Sequence, residues 1–239
     1  MNSTLTILKR ELGAYFNTPI GYVIIVFFLA LTCFLYVSQL FVNGNAELRD
    51  YFHNLPMFLM FFTPAIAMRL WSEERKLGTL EILLTLPVKT WQVVAAKWLA
   101  ALAFLAVMLA LTFPLPVALY CLGNPDSGPI IGGYIGALIL GMVYLAVGSF
   151  ASSLTGDQIV AFVIGFSINL FFFLMGYAGL LDWIKDLNAG LSSFVERFGV
   201  QPHFDSVTRG VVDSRDIIYA LTVAGFFLFL NVLVLERKR

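Results

Sequence analysis

Two histidines, His53 and His203, are the first residues of this sequence to consider for acid–base chemistry or metal binding, because an imidazole titrates near neutral pH and binds metals readily. Both lie near the ends of apolar stretches rather than in their middles. No phosphate-binding loop of the form G-x-x-x-x-G-K-S/T occurs in the chain. The sequence therefore predicts no catalytic residue, and any uphill transport must take its energy from another polypeptide.

Thiol and thioether sulfurs are the other candidate metal ligands. Cys33 and Cys121 both lie in apolar stretches, without the spacing of a disulfide framework or a metal site. Met57, Met60 and Met68 would suit a soft metal ion such as copper. Packing between helices explains both groups more simply, so we predict no metal site.

The composition indicates an integral membrane protein. Of the 239 residues, 59% are hydrophobic and 13% are charged, which is far from the average of soluble proteins. A helix crosses the hydrocarbon core with roughly 20 apolar residues. Six uncharged runs of about this length occur: Ile20 to Val42, Tyr51 to Met68, Trp98 to Pro125, Ser127 to Gly156, Gln158 to Leu181 and Ile217 to Leu235. Because these runs hold no Asp, Glu, Lys or Arg, they disfavour an intramembrane enzyme or a proton-coupled transporter.

We predict an all-α integral membrane protein with one transmembrane domain over 1–239. Its parts are an interfacial helix at 1–19, spans at 20–42, 51–70, 98–122, 130–154, 158–181 and 217–235, a loop at 72–90, and an outer amphipathic element at 182–216. Six spans place both termini on one side, and ten of the 15 Lys and Arg residues then lie on that side. The positive-inside rule makes this side, with the loop at 72–90, cytoplasmic. The formal net charge of zero indicates no nucleic-acid partner.

Two segments outside the spans have amphipathic helical spacing. Leu5, Leu8 and Leu12 recur on one face before the first span, which predicts a helix in the membrane interface; a solvated basic tail is the alternative. The outer element carries one apolar stripe of Trp183, Leu187, Leu191, Phe194 and Phe198, and a shorter one of Phe204, Val207 and Val211. Three arrangements of this broken element are open: it lies on the outer interface, it dips into the interface, or it only covers the bundle.

Span four contains a candidate helix-packing motif. Gly132 and Gly136 form a G-x-x-x-G pattern, which lets a second backbone approach closely. The approaching helix could belong to a second copy of the chain or to the same subunit, and the sequence leaves both open.

The segment between spans two and three predicts a turn followed by a short helix. Four consecutive charges, Glu73, Glu74, Arg75 and Lys76, would carry span two past the lipid headgroups. Gly78 permits a sharp turn. Thr79 can cap the next helix, and Glu81 would lie near the positive end of its dipole.

That predicted helix runs from Leu80 to Leu86 until Pro87 ends it. Leu80 and Leu84 share one face, and Leu83 shares another with Leu86. Because so short an apolar helix is not stable alone in water, it must bury its faces against other groups. The bilayer surface and a groove on a partner protein are the two candidates.

The stretch SEERKLGTLEILLTLPVKTWQVVAAKW, residues 72–98, resembles the cytoplasmic loop of ABC-2 type permeases, the membrane subunits of ABC exporters. The resemblance extends over nearly the whole chain, with an interfacial helix, six spans and a broken outer element. Three motifs, TPIGY (18–22), MRLWSEERKLGTLE (68–81) and RGVVDSRDIIY (209–219), look most similar to the gliding-motility-associated permease (GldF-type).

The resemblance implies an ATPase-coupling element made of Glu73, Glu74, Arg75, Gly78, Thr79, Leu80, Glu81, Leu84 and Pro87. It implies that ATP and Mg²⁺ bind to a separate ABC ATPase subunit, present in two copies, and that this chain binds no cofactor. It also implies a second permease copy or a related permease, contact with membrane lipid, and room for a membrane-anchored auxiliary protein with an outer domain. The implied location is the bacterial cytoplasmic (inner) membrane, with both termini in the cytoplasm.

The function implied by the resemblance is that of a permease subunit that couples ATP hydrolysis on its partner to export or to force transmission across the membrane. A non-transporting membrane scaffold that recruits a cytosolic partner through residues 72–90 remains the alternative. Because the spans lack charged pore residues, we expect a lipid-like, peptide-like or otherwise amphiphilic cargo rather than a small ion.

Overall fold

The computed structural model describes residues 3–43, 48–85, 88–122, 126–177, 179–181, 185, 190, 198–208 and 213–237. Within these ranges the chain is helical and contains no strand, as predicted. The principal helices are α1 (Ser3–Asn17), α2 (Pro19–Asn43), α3 (Arg49–Ala67), α4 (Arg69–Lys76), α5 (Leu80–Thr85), α6 (Thr90–Ala110), α7 (Pro114–Leu122), α8 (Ser127–Leu154), α9 (Gln158–Met175), α10 (Val200–Thr208) and α11 (Ser214–Glu236).

Within the described residues, six helical stretches are long and apolar enough to cross a membrane, which confirms the predicted number. They are Pro19–Phe41, Arg49–Lys76, Thr90–Cys121, Ser127–Leu154, Gln158–Met175 and Ser214–Glu236. An even number of spans leaves both termini at one end of the bundle, which we call the terminal end. The loop between α4 and α6 and the turn between α8 and α9 lie at this end, and the opposite end is called the distal end.

Several helices begin or end away from the predicted span limits. Span two continues without a loop from α3 into α4, so the charges at 73–76 extend the spanning helix. Span three begins at Thr90, eight residues before the predicted start at 98. Span five ends at Met175 instead of 181. Spans two and three are longer than predicted because a helix continues for as long as its backbone hydrogen bonds are made, whereas the predicted limits followed mainly the apolar part of each run.

Helix α8 lies at the centre of the bundle and packs against α3, α4, α6, α9, α10 and α11. A Cβ atom placed on Gly148 would lie only 2.7 Å from the Cβ of Ala67, so α3 and α8 cross at this glycine. Polar groups also join the helices here: Ser149 Oγ accepts hydrogen bonds from the Trp71 indole at 3.1 Å and from the Asn231 amide at 2.8 Å. Small residues and interhelical hydrogen bonds are the usual means of holding helices together in lipid.

The two predicted amphipathic segments differ in how much of them the structure describes. Helix α1 covers most of the predicted segment 1–19 and packs on α6, where the Tyr15 and Phe104 rings stack with centroids 4.7 Å apart. In the outer element, Phe204 and Val207 are buried in α10. Most of the first stripe (Trp183, Leu187, Leu191 and Phe194) and Val211 lie outside the described residues.

Candidate functional site

The turn between α4 and α5 has a defined hydrogen-bond pattern at the terminal end. The amide of Thr79 donates to the carbonyl of Glu74 at 3.0 Å, and the amide of Gly78 donates to the carbonyl of Arg75 at 3.2 Å. Gly78 has φ +70°. Together these features form a Schellman motif, in which a glycine adopts the left-handed conformation and satisfies the last carbonyls of the helix. The direction in which α5 leaves α4 is therefore set by the backbone.

The short helix α5 buries two apolar side chains, Leu80 and Leu83, in the chain itself. Leu80 is 6% exposed and Leu83 is 7% exposed, and both belong to the main hydrophobic core. The resemblance implies that Leu80 belongs to the ATPase-coupling element, whereas the structure turns this side chain inward. Among the loop side chains that the structure describes, the exposed large apolar residue is Leu77, at 68%. The side chain of Leu84, and Pro87 as a whole, fall outside the described part of the chain.

A cluster of charged residues joins three helices immediately beneath this turn. Lys97 of α6 is 1% exposed, and its Nζ lies 3.2 Å from Glu11 Oε1 in α1 and 3.0 Å from Glu74 Oε1 in α4. The same ammonium group donates to the carbonyl of Leu70 at 2.8 Å and lies 5.0 Å from the centre of the Trp71 ring. A buried charge is tolerated only when it is paired and hydrogen-bonded, and Lys97 meets both conditions.

The other cations of the terminal end extend this cluster. Arg10 lies 2.9 Å from Glu11 and 3.4 Å from Glu74, but it is 61% exposed and its contribution is screened. Arg69 pairs with Glu73 at 3.0 Å and donates to Thr18 Oγ1 at 2.7 Å. These contacts tie α4 to α1 and to the start of the first span.

Tyr15 fixes α1 against the end of span two. Its hydroxyl donates to the carbonyl of Ile66 at 2.9 Å. Burial raises the pKa of the Tyr15 phenol far above its usual value, so the hydroxyl keeps its proton and remains a donor. Helix α1 is therefore held to span two by a neutral hydrogen bond as well as by the charge cluster.

Arg75 connects the turn to the α8–α9 corner. Its guanidinium donates to the carbonyl of Ser153 near the end of α8. A Cβ placed on Gly156 would lie 3.4 Å from the Arg75 side chain. Of the charges predicted for coupling, Glu73, Glu74 and Arg75 thus have partners within the chain. Glu81, like the uncharged Thr79, is exposed.

The two glycines predicted for helix packing lie on the buried side of α8. A Cβ on Gly136 would be 3.3 Å from both Phe204 and Val207 of α10. In this subunit the close approach at Gly136 is therefore made by the distal helix α10 of the same chain.

The remaining candidates from the sequence lie far from this cluster. His203 Nδ1 is 2.7 Å from Asp216 Oδ1 at the distal end, and the His203 ring stacks on Tyr219. His53 is exposed on α3. Among the described residues, no three His, Cys, Asp or Glu side chains are grouped so that they could hold a metal ion.

Sequence reasoning missed the centre of the site, because Glu11 and Lys97 were counted only as charges flanking the membrane. One signal was present: Lys97 is the single charged residue in the helix from Thr90 to Ala110. A lone lysine in an apolar helix needs a partner in the bundle or an exit to the headgroups. Which of the two applies depends on the neighbouring helices.

The fold and the loop define a class, namely a multi-pass helical membrane protein with a helix-bearing loop between its second and third spans. Residues 5–235 match the family described as ABC-2 family transporter protein. The chain therefore belongs to this family, whose members are membrane permeases of ABC transporters and work with an ABC ATPase. A comparison with curated proteins found no match.

Proposed function

We propose that this chain is the permease subunit of an ABC transporter and that its α4–α5 loop docks on a separate ATPase subunit. The observation that carries the proposal is the surface of this loop: Leu77 is 68% exposed between the exposed Lys76 and Gly78, beside Thr79 and Glu81. An exposed leucine presented by a well-formed turn gains free energy when a groove on a partner protein removes it from water. The partner binds ATP and Mg²⁺, and this chain contributes no catalytic group.

The charge cluster supports a mechanism of transmission. When the ATPase subunits close, they displace the loop, and the displacement passes directly into span two because α4 continues α3. Lys97 links the same helix to span three and, through Glu11, to α1. These links make spans two and three and the amino-terminal helix move as one body. The role of the predicted coupling residues would be to pass the movement of the ATPase to this body.

The orientation follows from the distribution of basic residues. With the terminal end in the cytoplasm, most of the Lys and Arg residues lie there, as the positive-inside rule requires. This orientation also exposes Leu77 to a soluble ATPase. The membrane would be the bacterial inner membrane, and an auxiliary protein could bind on its outer side. The subfamily of the chain would be the GldF-type permeases.

The complex would contain two permeases, since two ATPase subunits require two coupling loops. Much of the apolar surface of α2, α9 and α11 is exposed in the single chain, including Phe34, Ile159 and Phe229. Lipid and a second, identical or related permease would share this surface. The uncharged spans favour an amphiphilic cargo, and stimulation of the ATPase by a small hydrophilic ion alone would contradict that assignment.

Co-purification of the tagged chain from nanodiscs tests the docking site. Leu77→Asp should remove the ATPase subunit, because a charge replaces the apolar contact. Leu154→Asp is the matched control: Leu154 is 40% exposed at the same end but outside the loop, so it should retain the ATPase. Leu80→Asp is unsuitable, since it would place a carboxylate in the core of the chain itself.

The outcomes separate the permease from the scaffold. A bound ATPase whose hydrolysis rises with an amphiphilic cargo supports the permease. A bound cytosolic protein without ATP hydrolysis would assign the chain to the scaffold class instead. Retention of the ATPase by Leu77→Asp would show that docking does not use this loop.

A further inference from the structure

A cavity of about 190 Å³ opens beside the charge cluster, between α1, α4 and α6. Its lining combines carboxylates, cations and apolar side chains: Glu11, Glu73 and Glu74; Arg69 and Lys97; and Ala14, Tyr15, Leu70 and Leu77. A space of this size holds several water molecules or one small polar group. Three carboxylates and two cations line the cavity, and Arg10, which contacts Glu11 and Glu74, adds a third cation beside it.

The hydrogen-bonding capacity of the cavity is unbalanced toward acceptors. All three protons of the Lys97 ammonium are used, by Leu70, Glu11 and Glu74. Glu11 and Glu74 accept these bonds through Oε1, and the buried Oε2 of Glu74 has no partner among the described residues. No described residue donates to Glu73 Oε1 or Glu11 Oε2 either. A ligand of this cavity must therefore bring N–H or O–H donors.

Arg69 supplies the complementary group on the other side of the cavity. Its Nε and Nη1 are bound to Glu73 and Thr18. Its Nη2 donates to no acceptor among the described residues, although the side chain is only 11% exposed. A guanidinium with unused protons is a favourable contact for a phosphate oxygen.

The orientation proposed above places the cavity at the depth of the lipid headgroups. Arg69 follows the last apolar turn of α3, and α1 was predicted to lie in the interface. Leu77 and Ala14 provide apolar lining suited to methylene groups. A ligand at this depth can arrive from the bilayer without leaving it.

We propose that this cavity binds a phosphoethanolamine group, with its ammonium donating to Glu73 and Glu11 and its phosphate accepting from Arg69. A primary ammonium brings the N–H donors that the carboxylates lack, whereas the trimethylammonium of choline has none. An anionic headgroup such as phosphoglycerol is disfavoured because it brings no charged N–H donor to the carboxylate oxygens that lack a partner. The group could come from phosphatidylethanolamine or from soluble O-phosphoethanolamine.

The test uses the full chain in nanodiscs of POPC alone, POPC with POPE, and POPC with POPG. Native mass spectrometry reports the retained lipid, and thermal unfolding reports stabilisation. We expect POPE to be retained at least about tenfold over POPC, since choline leaves charged acceptors unpaired, and to raise Tm where POPG does not. Soluble O-phosphoethanolamine, added to POPC discs, separates the two sources: a Tm increase there assigns the site to the free compound as well.

Variants connect the lipid preference to the cavity. Glu73→Gln should abolish the preference for POPE, while Glu81→Gln, an exposed carboxylate of α5 outside the cavity, should keep it. If Glu73→Gln does not fold, the titration of the unaltered chain with O-phosphoethanolamine and POPE decides. Equal retention of POPE and POPC with no response to O-phosphoethanolamine would overturn the proposal, as would a folded Glu73→Gln chain that keeps the preference.

Discussion

Replacement of Lys97 by methionine is the most informative perturbation of the charge cluster. Methionine has nearly the same length and fills the same space, but it carries no charge and donates no hydrogen bond. The change leaves the carboxylates of Glu11 and Glu74, which are 14% and 16% exposed, without their buried cation. It also removes the donor to the carbonyl of Leu70.

The size of the effect follows from what remains around the carboxylates. Removal of one partner from a buried ion pair costs about 3–5 kcal/mol. Here Arg10 still contacts both carboxylates, at 2.9 and 3.4 Å, and some solvent reaches them, so the lower limit applies. We expect Lys97→Met to lower the free energy of unfolding by about 3 kcal/mol, roughly a hundredfold in the folded-to-unfolded ratio.

Equilibrium unfolding in mixed micelles measures this loss. Trp71 provides the fluorescence signal, because its ring lies beneath the Lys97 ammonium. Lys9→Met, at an exposed lysine of α1, is the matched control and should change stability by less than about 0.5 kcal/mol.

A double-mutant cycle tests the cause of the loss. Glu74→Gln removes one of the stranded charges, so the double variant with Lys97→Met should be more stable than the sum of the two single losses predicts, by at least about 1 kcal/mol. Strictly additive losses, or a Lys97→Met chain as stable as Lys9→Met, would refute the assignment of Lys97 as the buried link between α1, α4 and α6.

Two further changes test the packing around α8 by thermal unfolding in nanodiscs. Gly148→Ala would place a Cβ 2.7 Å from that of Ala67 and should cost about 1–3 kcal/mol of stability. Its control, Gly225→Ala, meets nothing within 4 Å and should be neutral or slightly stabilising. Equal Tm values for the two variants would contradict the close crossing of α3 and α8. Ser149→Ala removes the acceptor of two buried donors and should cost about 1–3 kcal/mol of stability. Its control, Ser167→Ala on an exposed face of α9, should have little effect. A Ser149→Ala chain with unchanged Tm would show that these hydrogen bonds are not stabilising.

The helical class and the number of spans could be predicted because both depend on local properties of the chain. An uncharged apolar run of sufficient length must form a helix in lipid, where each backbone group needs an internal partner. The short helix after the charged segment was predictable for a similar reason, since Gly78 permits a left-handed turn through its own backbone freedom. The predicted cap is not seen, because the Thr79 hydroxyl donates to the carbonyl of Glu74. The exact ends of spans two and three were not, because the helices α4 and α6 carry charges that become acceptable only when neighbouring helices supply partners.

The resemblance in the loop led from the sequence to the coupling element, but the roles of its residues depend on packing. Leu80 and Leu83 were expected on different faces, but residues three apart are neighbours on a helix surface. The position of α5 on the bundle buries both side chains. The same holds for Gly136, whose neighbour is α10 of the same chain.

The sequence by itself determined that this is a six-span helical membrane protein with a helix-bearing loop, because span length, charge and turn preferences act over a few residues. Only the tertiary structure decided that Glu11, Glu74 and Lys97 form one buried cluster. These residues lie on three separate helices far apart in the chain, and their charges can interact only after α1, α4 and α6 have packed together and excluded water.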